Sequence, residues 1–125
     1  MNFAFFVVVL ASKFRLTKNN DFLRVYQQGK AVFALGLVLK FVKNDLLRSR
    51  IGFVVSLKVS KKAVERNLLK RRLREIVRAL LPNLCSGFDL VFLTQQQALQ
   101  LDFSQLKEQV EALLKKAKLL QKAIK

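Results

Sequence analysis

The spacing of apolar residues changes several times along the chain, and each change predicts an element. Over residues 18–28, Phe22, Val25 and Tyr26 recur at helical intervals. Thr17, preceded by Leu16, stands where it could cap the first turn, Asp21 lies in that turn and Gly29 supplies a stop. The next run, AVFALGLVLKFV at 31–42, reads as one long strand or as two strands joined by a bulge near Gly36. A polar connection, KNDLLRS at 43–49, leads to a second apolar strand, RIGFVVSL at 50–57, rich in β-branched residues.

Residues 60–82 return to helical period. Ser60 is a candidate N-cap and Pro82 marks the end, so the helix would be about 30 Å long. Leu69, Leu73, Ile76, Val77 and Leu80 fall on one face, with Asn67, Lys70, Arg71, Arg74 and Arg78 roughly opposite. A loop, NLCSG at 83–87, precedes a strand at 88–94 and a connection at 95–100. The last helix opens on Asp102 with Gln105 three residues later, a capping-box pattern. Phe103, Leu106, Val110, Leu113, Leu114, Ala117, Leu120 and Ile124 form its apolar stripe. Glutamates early and lysines late in this helix suit its dipole. The order of helix, strands, helix, strand and helix predicts an α+β or α/β sandwich around a single sheet.

The apolar run at 2–11, NFAFFVVVLA, is too short to span a bilayer as a helix, and no basic residue precedes it as a secretory signal would require. It is expected to be an extension, either an extra edge strand or a sticky appendage, or the product of a start codon placed too far upstream. Residues 1–12 are therefore set apart from a single domain at 13–125.

Composition narrows the chemistry. With 125 residues, 52% of them apolar, the chain can bury a core but is too short for two ordinary domains. It has no His and a single Cys, which excludes His-based triads, zinc-finger sites and an intrachain disulfide. Cys85 reads as a small residue near a turn. The four Asp form no close sequence cluster suggesting a metal pair.

The charge points to a partner. There are 24 Lys and Arg against 8 Asp and Glu, a net of +16. Residues 56–80 alone hold nine basic and two acidic residues, as many as the whole of 1–55. Arg66, Lys70, Arg74 and Arg78 repeat every four positions, so like charges repel along one helix, partly offset by Glu75. A helix made only for solubility would interleave its signs. A membrane-surface or calmodulin-type helix would need the apolar face that the core also needs. A polyanion is the partner that best answers this arrangement, with Lys61 and Lys62 at the helix start adding to the surface. Arg offers a fork to phosphate oxygens, and Asn67 can donate and accept at once. Phe14, Phe22, Tyr26 and Phe33, around the first helix and strand, are candidates to stack on unpaired bases. No helix pair with a short turn suggests DNA binding.

In this setting the chain resembles the bacterial ribonuclease P protein subunit, from about Phe14 to Lys118. The resemblance rests on Arg15-Leu16, Asp21-Phe22 and Val25-Tyr26 before Gly29. It continues through Gly52-Phe53-Val54-Val55-Ser56-Leu57-Lys58-Val59 and then Ala63 to Glu75, AVERNLLKRRLRE, and closes on Gly87-Phe88-Asp89. It implies an α-β-β-β-α-β-α order with a left-handed β-α-β crossover. It also implies a protein without catalytic side chains that assists a catalytic RNA in removing the 5′ leader of precursor tRNA. The implied partners are that RNA and precursor tRNA, in the cytoplasm, with no membrane and no obligate protein partner. Magnesium ions would be held mainly by RNA and substrate, with no organic cofactor and no metal site on the protein. Arg66, Asn67, Lys70, Arg71 and Arg74 match the basic-helix motif, Phe22 and Tyr26 the aromatic positions of a leader-binding cleft, and Lys58 a basic residue at its edge. Three positions depart from the family pattern. Leu68 stands where Arg is usual, Leu57 where Lys is usual and Ser60 where Gly is common. The other reading is a structural RNA-binding protein or RNA chaperone with no part in cleavage.

Overall fold

The computed structural model describes residues 12–121, so the apolar run at 2–11 and Ile124 lie outside the described residues. A short 3-10 turn, Ser12–Phe14, leads into α1 (Asn19–Gln28). Strands β1 (Lys30–Ala34), β2 (Leu37–Lys43) and β3 (Arg50–Val54) follow, then α2 (Ala63–Leu80), β4 (Phe88–Thr94) and α3 (Phe103–Lys116). The sheet order is β1-β2-β4-β3, antiparallel except where β3 lies parallel to β4 with α2 as the connection. Residues 15 and 16 run along the outer edge of β3, where the Leu16 N–H donates to the Ile51 carbonyl at 2.8 Å.

Strand alternation divides the side chains between two faces. Leu37, Leu39, Ile51, Leu90 and Phe92 point to the larger core, which α2 and α3 close with Leu69, Leu73, Ile76, Val77, Leu106, Val110, Leu113 and Leu114. Val91 points the other way and packs with Leu16 and Val25 under α1. The apolar stripes of α2 and α3 are buried on the expected face, with Leu80 half-buried at the end of α2 and Phe103 left exposed at the start of α3, but α3 stops at Lys116: Ala117 and Leu120, expected on its stripe, lie beyond it, where Lys118 takes φ 59° and Leu120 bridges to Leu84. The capping box of α3 forms as its sequence predicts: Asp102 Oδ1 accepts from the Gln105 N–H at 2.8 Å, and Gln105 Oε1 from the Asp102 N–H at 3.0 Å. Cys85 sits half-buried in the loop before β4.

Four expectations are corrected. The run at 31–42 is neither one strand nor a bulged pair but a hairpin turning at Leu35-Gly36. Gly36 has φ 78°, and a Cβ there would stand 2.9 Å from the Ala98 nitrogen, so both conformation and space demand glycine. Thr17 does not cap α1, which begins after Lys18 with no side-chain cap, because the chain before it is drawn out along β3. The predicted strand at 50–57 stops at Val54, and Leu57–Val59 turn so that Val55 and Val59 can reach the core. Ser60 is not the N-cap of α2, which starts at Ala63 after Lys62. Its hydroxyl instead accepts from the Lys62 N–H at 3.1 Å and donates to Glu65 Oε1 at 2.5 Å.

Candidate nucleic-acid interface

Two surfaces follow from this architecture. The first is the outward side of α2. Once Leu69, Leu73, Ile76 and Val77 are buried, helical geometry turns the remaining arc outward. Lys61, Lys62, Asn67 and Arg71 are exposed on it. Arg66, Lys70, Arg74 and Arg78 are half-buried rather than fully solvated. Arg66 donates from Nη1 to the Ser60 carbonyl at 2.9 Å, which ties its fork to the helix start. Among the described residues, every ion pair within 4.0 Å involves Arg24 or Arg50, so no cation of α2 is neutralised by a carboxylate. The expected relief of Arg71 and Arg78 by Glu75 does not take the form of an ion pair. At the far end of the arc, Arg78 Nε is buried with no hydrogen-bond partner.

The second surface is a cleft on the opposite face of the sheet. Helix α1 covers that face over Val42, Asp89 and Val91 and leaves the next row open. Cross-strand register makes this row Phe33, Val38, Leu93 and Val54. Val38, Leu93 and Val54 are half-buried and Phe33 is 62% exposed, an apolar floor without a roof. The wall is α1. Phe22 packs so closely over Gly52 that a Cβ there would meet its ring at 2.5 Å. Tyr26 lies 6.3 Å from Phe22, centroid to centroid, and is 37% exposed, its phenol pKa raised by burial. Lys58 is exposed in the turn after β3, its carbonyl held by Gln96 Nε2 at 3.0 Å.

The structure therefore brings Phe22, Tyr26 and Phe33 to one face, with Lys58 in the turn at its end, and removes Phe14 from the set. Phe14 packs against the larger core on the other side of the sheet. It lines a separate cavity of about 280 Å³ with Leu47, Leu81, Leu84 and Cys85, because the Ser12–Phe14 turn lies beside the start of β3. Sequence reasoning missed Lys40. It shares the cleft face with Val38 and Val42, and its Nζ stands 5.6 Å from the Tyr26 ring centroid. The alternation of Leu37, Leu39 and Phe41 with Val38, Lys40 and Val42 carried that signal.

Also missed was the ion network that fixes α1 to the sheet. Asp89 is fully buried. Arg50 donates to it from Nε at 2.9 Å and from Nη2 at 2.7 Å, Asn44 from Nδ2 at 2.8 Å and Arg24 from Nη2 at 2.5 Å. Arg50 Nη1 also reaches Asp21 at 3.2 Å. Burial opposes ionisation of Asp89. The hydrogen bonds from Arg50 and Asn44, with the charges of Arg50 and Arg24, together outweigh it and hold its pKa below the ordinary carboxylate value. Arg24, Arg50, Asp21 and Asp89 thus neutralise one another. Among the described residues, no group of three or more His, Cys, Asp and Glu is placed to hold a metal ion, and no helix is long and apolar enough to cross a membrane.

Comparison with known proteins agrees with this geometry. The family model described as Ribonuclease P matches residues 10–118. The chain is 42% identical over 128 residues to the ribonuclease P protein component of a Cyanothece strain, covering 90% of this chain and 98% of that one. It is also 42% identical to that of a Caldanaerobacter subterraneus strain over 105 residues, covering 84% and 90%. Among solved structures, the Staphylococcus aureus RNase P protein superposes with a TM-score of 0.80 at 30% identity, covering 86% and 98%. The Thermotoga maritima RNase P protein does so with a TM-score of 0.75 at 36% identity, covering 82% and 96%.

Proposed function

Because the chain belongs to the ribonuclease P protein family, we propose that it acts as the non-catalytic subunit of a ribonucleoprotein endoribonuclease whose RNA carries the catalysis. As the protein component of ribonuclease P it associates with ribonuclease P RNA and serves tRNA 5′ leader removal in the cytoplasm. The observation that carries the division of labour is the placing of two unlike surfaces on opposite sides of one sheet. The α2 arc, Arg66 to Arg78 with Lys61 and Lys62, presents unpaired cations to a folded polyphosphate, the catalytic RNA.

The cleft suits single-stranded RNA. Phe33 and Tyr26 offer ring faces beside an apolar floor, Phe22 supports Tyr26, and Lys40 and Lys58 supply charge for the backbone. In precursor tRNA the unpaired segment is the leader, so the cleft distinguishes precursor from mature product. The protein need contribute no nucleophile or general base. Magnesium ions would lie on RNA and substrate phosphates; Asp21 and Asp89, the carboxylates under α1, are already engaged by arginines.

Reconstitution with bacterial ribonuclease P RNA tests this reading. Leader cleavage at low magnesium should be stimulated by the protein, and leaderless tRNA should compete poorly. Equal binding to unrelated RNAs with no stimulation would support the structural or chaperone reading instead.

A further inference from the structure

A second cavity lies at the other end of α1. Strand β1 begins at Lys30, paired with Phe41, whereas β2 runs on through Val42 and Lys43, which pair only with β4. The shortfall leaves a notch beside the β2 edge, a cavity of about 270 Å³ lined by Gln28, Lys30, Phe41, Val42, Lys43 and Phe88. Its aromatic part is the edge-to-face pair Phe41 and Phe88, 6.4 Å between centroids at 61°. Both rings are half-buried, while Gln28, Lys30 and Lys43 are exposed at the rim. No carboxylate lines the cavity, and neither lysine has an acidic partner among the described residues. Arg24 holds the Lys43 carbonyl from Nη1 at 2.9 Å while bound to Asp89, which fixes the rim.

Ordinary solvated lysines beside a core edge would not require this combination. Apolar ring surface, an amide and two ammonium groups around a cavity of nucleotide size match a planar, hydrogen-bonding, anionic ligand. The notch is distinct from the leader cleft. The pair Lys30–Phe41 is three residues from Phe33–Val38, roughly 10 Å along the strand. Phe41 and Phe88 also belong to the opposite face of the sheet.

We propose that this notch is a second nucleotide subsite that takes one unpaired ribonucleotide. The base lies against Phe41 and Phe88, and the phosphate lies between Lys30 and Lys43. The proposal rests on the RNA-binding reading above. The nucleotide comes either from the catalytic RNA or from the precursor, and the test separates the two.

The full chain, with its phenylalanine rings labelled for NMR, is titrated with adenosine and uridine 5′-monophosphate and, in parallel, with inorganic phosphate. The nucleotides should shift the Phe41 and Phe88 signals in the wild type and not in Lys30→Gln/Lys43→Gln, whose altered side chains are exposed and leave the fold intact. Phosphate alone should not move the rings. In the assembled enzyme the double variant should weaken one binding step by roughly three- to tenfold, the loss of two phosphate contacts. A loss in the titration with free ribozyme RNA assigns the nucleotide to the catalytic RNA, and a loss in the titration of holoenzyme with precursor assigns it to the substrate. Rings unmoved by nucleotides, or moved equally by phosphate, would overturn the proposal, as would two unchanged RNA titrations. Stimulation of cleavage by the wild type is read separately, so a failed subsite leaves the proposed function standing.

Discussion

In the proposed function Arg74 and Tyr26 serve unlike kinds of RNA recognition. Arg74 is a charge on the unpaired arc of α2, so Arg74→Ala should weaken binding to ribozyme RNA and reduce the magnitude of the log–log salt slope by about one unit. Salt-dependent titration checks this, and an unchanged slope would remove Arg74 from the phosphate contacts. Tyr26 and Lys40 form a ring and cation on the cleft face. Asp89 has a different role. Replacing it with Asn leaves Arg24 and Arg50 facing a neutral group in a buried site and should cost about 3–5 kcal/mol in denaturant unfolding. Because its pKa is depressed in the folded state, the stabilisation it gives is complete above the unfolded carboxylate pKa and is lost as pH falls through the folded value. Asp89→Asn should therefore show a flatter loss of stability on acidification than the wild type. The basic arc and the cleft aromatics were legible as residue types at given spacings. The Asp89 network was not, since Arg24 and Asp89 are 65 residues apart and meet only when α1 docks on the sheet.

Helix α2 makes both its core contacts and its basic outward arc from one 3.6-residue period. Leu73 is fully buried in it, and Leu73→Ala should lower unfolding free energy by roughly 2–5 kcal/mol. Its apolar stripe was readable because only one side of the helix meets protein. The β1–β2 hairpin was not, because Lys40 is the one polar side chain in 31–42, so no polar residue marks where one strand ends, and the turn carries only Gly36 as a signal. The relation of α1 to β3 is tested by Gly52→Ala. The added methyl would meet the end of the Phe22 ring, which must swing away and carry the wall of the cleft with it. The variant should remain folded and bind ribozyme RNA normally, with precursor affinity reduced several-fold in the same holoenzyme assay. Ribozyme binding falling in parallel would show that the change is not confined to the cleft.

For the whole molecule, a charge of +16 on 125 residues opposes its own compaction and favours a polyanionic partner. The sheet keeps the basic arc and the cleft apart, so in the proposed function the catalytic RNA occupies α2 while an unpaired strand lies across the face beneath α1. That separation predicts independent losses: changes on α2 alter assembly, and changes in the cleft alter substrate choice. The most direct measurement is the ratio of precursor to mature tRNA affinity in reconstituted holoenzyme, compared between the wild type and Tyr26→Ala/Lys40→Ala at saturating protein. The ratio should fall by roughly tenfold, with mature tRNA binding unchanged, since stacking on one ring is worth about 1–3 kcal/mol. Equal losses on precursor and mature tRNA, or an unchanged ratio, would contradict the placing of the leader in this cleft.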